Sequence, residues 1–439
     1  MENKIIKYFF LLFLIFTFPF TIIFFCKNKA NASPPSTLNT GTLHQDGQIL
    51  WGGQDRYYYY YEPNDPGASP RPLIILLHGG GGNIDSFLGL DGKKAPFKIW
   101  LDVADEEKLY LAIPQGHNKS WNDCRGDCQT CSTEDDVGFL NEMINQLMNK
   151  YEIDTTRIYA TGESNGGHMS YRLAMELSHR IAAVGVVIAG FPAQNECFGP
   201  VDPVSVLIMN GTEDPICPWE GGEYNKFEGR GTVLSAYESV NFWVNHNNCD
   251  TIPESYDFAD GPYEDSSTVH RDIYDNGIQN TEVVLYRVDG GGHNSPSIAQ
   301  QYADWFLTLA GLGAQNHDIE MAREVWDLFK RHTLITSVTN SSDDLSIKTF
   351  YLSQNYPNPF NPTTTIQYHL PQTGKVTLRI YNLLGELVQT LVDEVKPPGV
   401  YKIDWDGKNS QGLQVGGGLY MVRMKVGGFV QNKKIVLLR

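Results

Sequence analysis

Ser164 stands between two glycines in Thr161-Gly162-Glu163-Ser164-Asn165-Gly166-Gly167-His168, after the strand-like run Arg157-Ile158-Tyr159-Ala160 and before a helical pattern. Gly-x-Ser-x-Gly in that setting makes a strand-to-helix turn so tight that a Cβ at either glycine would strike neighbouring backbone, and the serine protrudes. Such a hydroxyl can attack a carbonyl once an imidazole takes its proton and a carboxylate fixes the imidazole's tautomer. The order Ser, acid, His is available downstream. Asp214 ends Asn210-Gly211-Thr212-Glu213-Asp214 after the apolar run Val204 to Met209, and His293 ends Gly290-Gly291-Gly292-His293 after Val283 to Val288. Both then lie just past strand carboxyl ends, where the loops of a parallel sheet converge. His168 and His179 fall on the helix that follows Ser164, and His246 has no strand before it, so all three fit the base role worse. The oxyanion formed on attack needs preset backbone donors. These are the amide of Asn165 and that of Gly80, within the run His78-Gly79-Gly80-Gly81-Gly82-Asn83. A glycine run after a strand can also cradle phosphate, but neither Gly-Lys-Ser/Thr nor a dinucleotide fingerprint accompanies it.

With 42 glycines in 439 residues the serine motif alone has little specificity, so the elements around it matter. Leu73-Ile74-Ile75-Leu76-Leu77 is continuously apolar, as a strand covered on both faces must be. Leu109 to Ile113, Ala183 to Ile188, Val204 to Met209 and Val283 to Val288 read likewise. Between them Val137, Leu140, Ile144, Leu147 and Tyr151 form a helical stripe that Asp135 or Asp136 can cap. Alternation of this kind predicts an α/β domain with a mostly parallel sheet, closed by a second amphipathic helix bearing Ala322, Val325, Trp326 and Phe329. Polar residues 339 to 344 mark a linker. Beyond it short strands alternate with Gly and Pro turns: Thr365 to Leu370, Val376 to Tyr381, Val400 to Trp405, Leu419 to Val426 and Lys434 to Leu438. These predict a small all-β immunoglobulin-like sandwich.

Lys4 and Lys7 before the apolar stretch Tyr8 to Phe25, with Ala30-Asn31-Ala32 after it, read as a secretory signal peptide over residues 1–32, leaving no stable membrane insertion once it is cleaved. The stretch is also long enough for an uncleaved anchor, but Pro19 interrupts it and the Ala-x-Ala site favours cleavage. The expected order is signal peptide 1–32, catalytic domain 33–334, linker 335–348 and sandwich 349–439. The formal charge of −17 makes a nucleic-acid partner an unfavourable reading, because an acidic body repels phosphate. Six of the seven cysteines follow residue 32. The C-x3-C-x2-C spacing of Cys124, Cys128 and Cys131 would suit an iron–sulfur cluster in a reducing compartment, but in an exported chain it predicts disulfides stapling a loop. Six cysteines allow 15 pairings, among which the sequence does not choose.

The segments LLHGGGGN, WND, DDVGFL, GESNGGHMSYRLA, NGTEDPICPWEGG and GGGH resemble the secreted polyhydroxybutyrate-depolymerase/feruloyl-esterase branch of the α/β-hydrolases over about residues 45 to 334. The resemblance implies Ser164 as nucleophile, Asp214 as acid and His293 as base, with no metal and no organic cofactor. His168 stands where that family usually has an apolar residue, Cys217 where valine is frequent, and Asn294-Ser295-Pro296 where Thr-Trp-Pro-Gly is common. These departures concern the pocket, not the reacting groups. Trp121, Trp219 and Trp243 are candidates for lining an aromatic-accepting cleft. From about Phe350 to Arg439, LSQNYPNPFNPTTTIQYHLP, IYNLLGELV and KKIVLLR resemble the type A sorting domain of the type IX secretion system, most specifically at Tyr356-Pro357-Asn358-Pro359-Phe360. The resemblances together imply a serine carboxylesterase, secreted or on the cell surface via the periplasm, with that secretion machinery as its partner. The expected substrates are polymeric or polysaccharide-linked esters, feruloyl or acetyl esters of plant cell walls first and hydroxyalkanoate polyester second. A peptidase of the prolyl-oligopeptidase kind lacks room here for its propeller. A catalytically silent binding protein would have lost the geometry, and a structural role led by the tail would leave Ser164, Asp214 and His293 unexplained.

Overall fold

The structure is a computed structural model that describes residues 40–64, 69–197, 200, 202–224, 229–263, 265–335, 350–352, 355 and 360–438. The signal peptide 1–32, the polar run 339–344 and Tyr356-Pro357-Asn358-Pro359 lie outside the described residues.

Among the described residues, ten strands form one sheet: β1 (Thr42–Trp51), β2 (Gln54–Glu62), β3 (Arg71–Leu77), β4 (Tyr110–Pro114), β5 (Ile153–Glu163), β6 (Ala183–Val187), β7 (Ser205–Gly211), β8 (Glu254–Asp257), β9 (Thr268–Tyr274) and β10 (Val283–Asp289), in the order β1-β2-β4-β3-β5-β6-β7-β10-β9-β8. The six from β4 to β10 in that order pair in parallel, and the flanking pairs are antiparallel. Successive side chains of a strand point to opposite faces, so β3 shows why its run has no polar interruption. Leu73, Ile75 and Leu77 enter one core, which also holds Phe139, Ile144 and Trp243. Ile74 and Leu76 enter the other, with Trp100, Val325 and Phe329. Every residue from Leu73 to Leu77 is fully buried, each contributing roughly 1.5–3 kcal/mol.

The expected strands form, most with ends moved by one or two residues, while the run Arg157 to Ala160 extends to Ile153–Glu163 and Lys434 to Leu438 to Phe429–Leu437. The helix after β4, α2 (Asp136–Lys150), follows α1 (Ile99–Glu107) and is capped by Asp135, whose carboxylate accepts the Gly138 amide at 3.0 Å. The hairpin β1–β2 and the edge strands β8 and β9 go beyond the sequence reading. The hairpin carries a legible signal, since Gly52-Gly53 joins partners Trp51 and Gln54 in a two-residue loop with both φ positive, at 59° and 79°. Strand β8 has none, being exposed at all four positions.

Among the described residues from 351 onward, a three-stranded and a four-stranded sheet form, all pairs antiparallel, around one shared core that includes Ile366, Leu378, Trp405, Val422 and Ile435. The strands Tyr351–Leu352 and Leu387–Lys396 join the five expected there; along the second only Val392 is buried, so it shows no apolar alternation.

Candidate active site

Strand β5 runs into helix α3 (Asn165–Glu176) through Ser164, whose backbone takes φ 53° and ψ −120°. Positive φ in a residue with a Cβ is strained, and here the surroundings enforce it. The Ser164 amide donates to Val187 O on the neighbouring strand at 2.9 Å, and its carbonyl accepts from His168 N at 3.0 Å. Helix α3 begins hard against the end of β3: a Cβ on Gly166 would stand 2.0 Å from Leu77 O, and one on Gly162 2.6 Å from the Gly166 carbonyl carbon. Any larger side chain at either position would push the helix off the sheet.

The other two residues arrive on neighbouring loops. Asp214 follows β7, and His293 follows β10, its parallel neighbour. Gly211 lets the two loops touch, since a Cβ there would stand 2.2 Å from Gly291 O, and Glu213 N donates to that same oxygen at 3.0 Å. The structure thereby brings Ser164, His293 and Asp214 together. His293 Nε2 lies 3.0 Å from Ser164 Oγ, and His293 Nδ1 lies 2.7 Å from Asp214 Oδ2. The other Asp214 oxygen accepts the amides of Ile216 and Cys217 at 2.7 and 2.8 Å. Asp214 and His293 are buried while Ser164 is half-buried, and the adjacent Glu213 is exposed. With Nδ1–H held by the carboxylate, Nε2 is left to accept the serine proton, the arrangement needed for attack by Oγ.

The glycine run packs on the elbow. A Cβ on Gly79 would stand 3.6 Å from that of Ser164, and one on Gly80 3.5 Å from that of Asn165, so the two expected oxyanion donors belong to adjoining backbone. His78 holds the run in place: Nδ1–H donates to Gly79 O at 2.8 Å, and Nε2 accepts the Gly116 amide at 3.0 Å. Both nitrogens are committed only in the neutral ring, and burial pushes this imidazole down to about 4. The Asn165 side chain is also committed, accepting from Trp121 N at 2.7 Å and donating to Asp123 Oδ2 at 2.7 Å. Asp123 forms a buried bidentate pair with Arg125, at 2.9 and 2.7 Å. Burial works against its charge, but the guanidinium outweighs burial and holds the carboxyl below its usual range. Sequence reading assigned no role to His78, Asp123 or Arg125. The stretch WND was the available signal, but its meaning depends on contact with Asn165, 42 residues away.

The tryptophans require a correction. Trp121 and Trp243 are fully buried and have no surface to offer a ligand. Trp243 belongs to the apolar face of the helix Ala236–Asn247 and packs between Tyr171 and Phe191. Trp121 lies beside the His78 ring and donates its indole N–H to His78 O at 2.9 Å, so it braces the glycine run from behind. Trp219 keeps partial exposure and meets Tyr237 edge-on. Of the six cysteines, Cys124–Cys197 and Cys128–Cys131 form disulfides, whereas Cys217 and Cys249 remain buried thiols. Burial and the nearby Asp214 charge push Cys217 up to about 12, which removes it as a nucleophile.

His168 is not a rival base. It is fully buried, bonded through Nε2 to the Tyr224 hydroxyl, and pushed down to about 3 by burial and then by Arg125. This has a consequence for stability. A histidine held neutral when folded but free to protonate near 6.5 when unfolded stabilises fully above that pH, and the contribution falls as pH drops toward the folded value. Each such ring adds a slope of about 1.4 kcal/mol per pH unit. Urea unfolding of His168→Gln between pH 6.5 and 4.5 should therefore show a dependence shallower by about one proton than the native chain, whatever opposite slope the raised carboxyls such as Glu163 impose on both.

A nucleophile elbow on a mostly parallel sheet, with acid and base on the loops after two later strands, defines an α/β-hydrolase fold, here followed by an all-β sandwich. Residues 361–428 match the family model of the FlgD Ig-like domain. The chain is 32% identical to a probable feruloyl esterase C of Aspergillus flavus over 170 residues, 38% of this chain and 58% of that protein. It is 26% identical to feruloyl esterase D of Neurospora crassa over 273 residues, 60% of this chain and 84% of that one. Among solved structures, an acetyl xylan esterase from Aspergillus awamori aligns over 62% of this chain and 99% of its own, at 16% identity and a TM-score of 0.40. The chain spans 58% of the length of the first of these relatives.

Proposed function

We propose that this protein is an exported serine carboxylesterase that cleaves feruloyl or acetyl esters of plant cell-wall polysaccharide through an acyl-enzyme. The observation that carries the reading is the unbroken line from Ser164 Oγ through His293 to Asp214, at 3.0 and 2.7 Å. In it Ser164 Oγ attacks the ester carbonyl while His293 Nε2 takes its proton. The amides of Gly80 and Asn165 stabilise the oxyanion, and the imidazolium then returns the proton to the departing alcohol. Water, activated by the same nitrogen, releases the acid. Similarity to feruloyl esterases supports the ester class. Turnover of methyl ferulate, acetylated xylan, hydroxybutyrate polymer and a peptide amide tests the reading. Preference for the polymer would make the chain a polyester depolymerase, preference for the amide a peptidase, and activity on none a binding protein.

The sandwich is proposed to be a sorting domain for the type IX secretion system, with the domains at 33–334 and 349–439. All of the groups assigned to chemistry, and the amphipathic helix Met321–Phe329, precede residue 335. Residues 33–334 are therefore expected to fold and hydrolyse esters alone. In the native cell, truncation at residue 340 should trap active enzyme inside the outer membrane, as fractionation would show. Normal release would remove the sorting role, and loss of folding would make the tail part of the catalytic core.

A further inference from the structure

The loop after His293 carries an apolar surface that the chemistry at Ser164 leaves unused. Helix α4 (Ala236–Asn247) is followed along the chain by α5 (Asp304–Ala310), which exposes Trp305 by 70%, Leu309 by 81% and Phe306 by 39%, and Ile298 just before it is 42% exposed. Trp305 and Leu309 are four residues apart and so lie on one face of the helix. Exposed apolar side chains gathered in this way mark a contact surface, because water is a poor solvent for them. The helix that bears this surface is anchored to the site by a short series of contacts through the buried Ser295 and Gln315. Glu163, next to Ser164, accepts the Ser295 hydroxyl at 2.8 Å, and Gln315 joins Ser295 O to the Tyr302 amide at 2.9 and 2.8 Å. Tyr302 then meets Phe306 at 5.7 Å between ring centres, and Phe306 meets Trp305 at 6.2 Å.

We infer that Trp305, Phe306 and Leu309 dock the uncharged sugar backbone of the polymer whose ester is cleaved at Ser164. The inference rests on the ester-hydrolase reading, since the helix ends at Ala310, two residues before Leu312 whose carbonyl accepts the His293 amide at 2.6 Å, and an occupant held beside the base belongs to the same molecule as the ester. Its chemistry follows from the side chains. Aromatic faces accept the C–H faces of sugar rings and leave the sugar hydroxyls hydrated. From 294 to 319 the chain has no Lys or Arg, and it carries Asp304 and Asp318, so an acidic polysaccharide or an anionic lipid surface finds no counter-charge.

The test uses the full chain in a Ser164→Ala background, so that bound ester is not consumed, with and without Trp305→Ala and Leu309→Ala together. Adsorption to insoluble feruloylated arabinoxylan and to hydroxybutyrate polymer powder is measured, with melting curves to confirm folding. In the Ser164 background, kcat/KM for methyl ferulate is compared. The expected result is about tenfold weaker adsorption to arabinoxylan, with methyl ferulate turnover unchanged. Equal adsorption of both forms to arabinoxylan, or a loss confined to the polyester, would overturn the inference. A native chain that adsorbs through these residues but cleaves no ester would remove the hydrolase reading alone and leave the docking surface supported.

Discussion

Ser164→Ala should lower kcat on a chromogenic ester by about 10⁶-fold while the protein melts within a few degrees of the native chain. The loss is large because the Oγ forms the bond to the acyl group. What remains is the residual catalysis of the oxyanion donors, which act on a water that has no fixed position. The fold should survive, because the elbow is held by backbone: the Ser164 amide on Val187 O, and the close contact of Gly166 with Leu77 O. Alanine keeps a Cβ at φ 53°, so the strain is unchanged, whereas Ser164→Gly should remove it and add roughly 1 kcal/mol to stability with equal loss of activity. Opposite responses of activity and stability at one position would identify strain held for function. Activity retained in folded Ser164→Ala would take the nucleophile's role from this residue.

His293→Ala should cost about as much as loss of the serine, and Asp214→Asn about 10⁴-fold. The second figure follows from the hydrogen bonds around the carboxylate. Asp214 accepts at both oxygens, from the Ile216 and Cys217 amides on one and from the imidazole on the other. An asparagine has one acceptor and one donor end. Either its NH2 faces two backbone donors, or it faces Nδ1 and drives the imidazole proton to Nε2, where it blocks the serine. Glu213→Gln should change the rate by no more than a few-fold, since Glu213 is exposed beside the loop rather than bonded to the base. A severe Glu213→Gln with a mild Asp214→Asn, read from the same ester assay, would reverse the assignment of the acid.

Much of this site could be read along the chain because its parts are local. The elbow needs glycines two residues either side of the serine, and the acid and base each lie within four residues of a strand end, so Ser164, Asp214 and His293 carry their own markers. The same holds for the buried parallel strands, whose apolar runs record exclusion of water from both faces. Asp214 and its neighbour Glu213 look alike in the chain, and only the bonds to Ile216, Cys217 and His293 set Asp214 apart.

The tryptophans show where local signals end. A tryptophan has the same one-letter appearance whether it lines a cleft or fills a core, and only the packing of Tyr171 and Phe191 around Trp243, and of His78 beside Trp121, removes both from solvent. The cysteine pairing, the Asp123–Arg125 pair behind Asn165 and the aromatic surface beyond His293 are decided in the same way. Most of the elements, and the three side chains that meet at Ser164, are legible along the chain, because hydrophobic period, turn chemistry and strand-end position act within a few residues. Which polar side chains meet, which aromatics face water and which thiols find partners is set only by packing, because those depend on distances between segments separated by as many as 217 residues, as for Glu106 and Arg323.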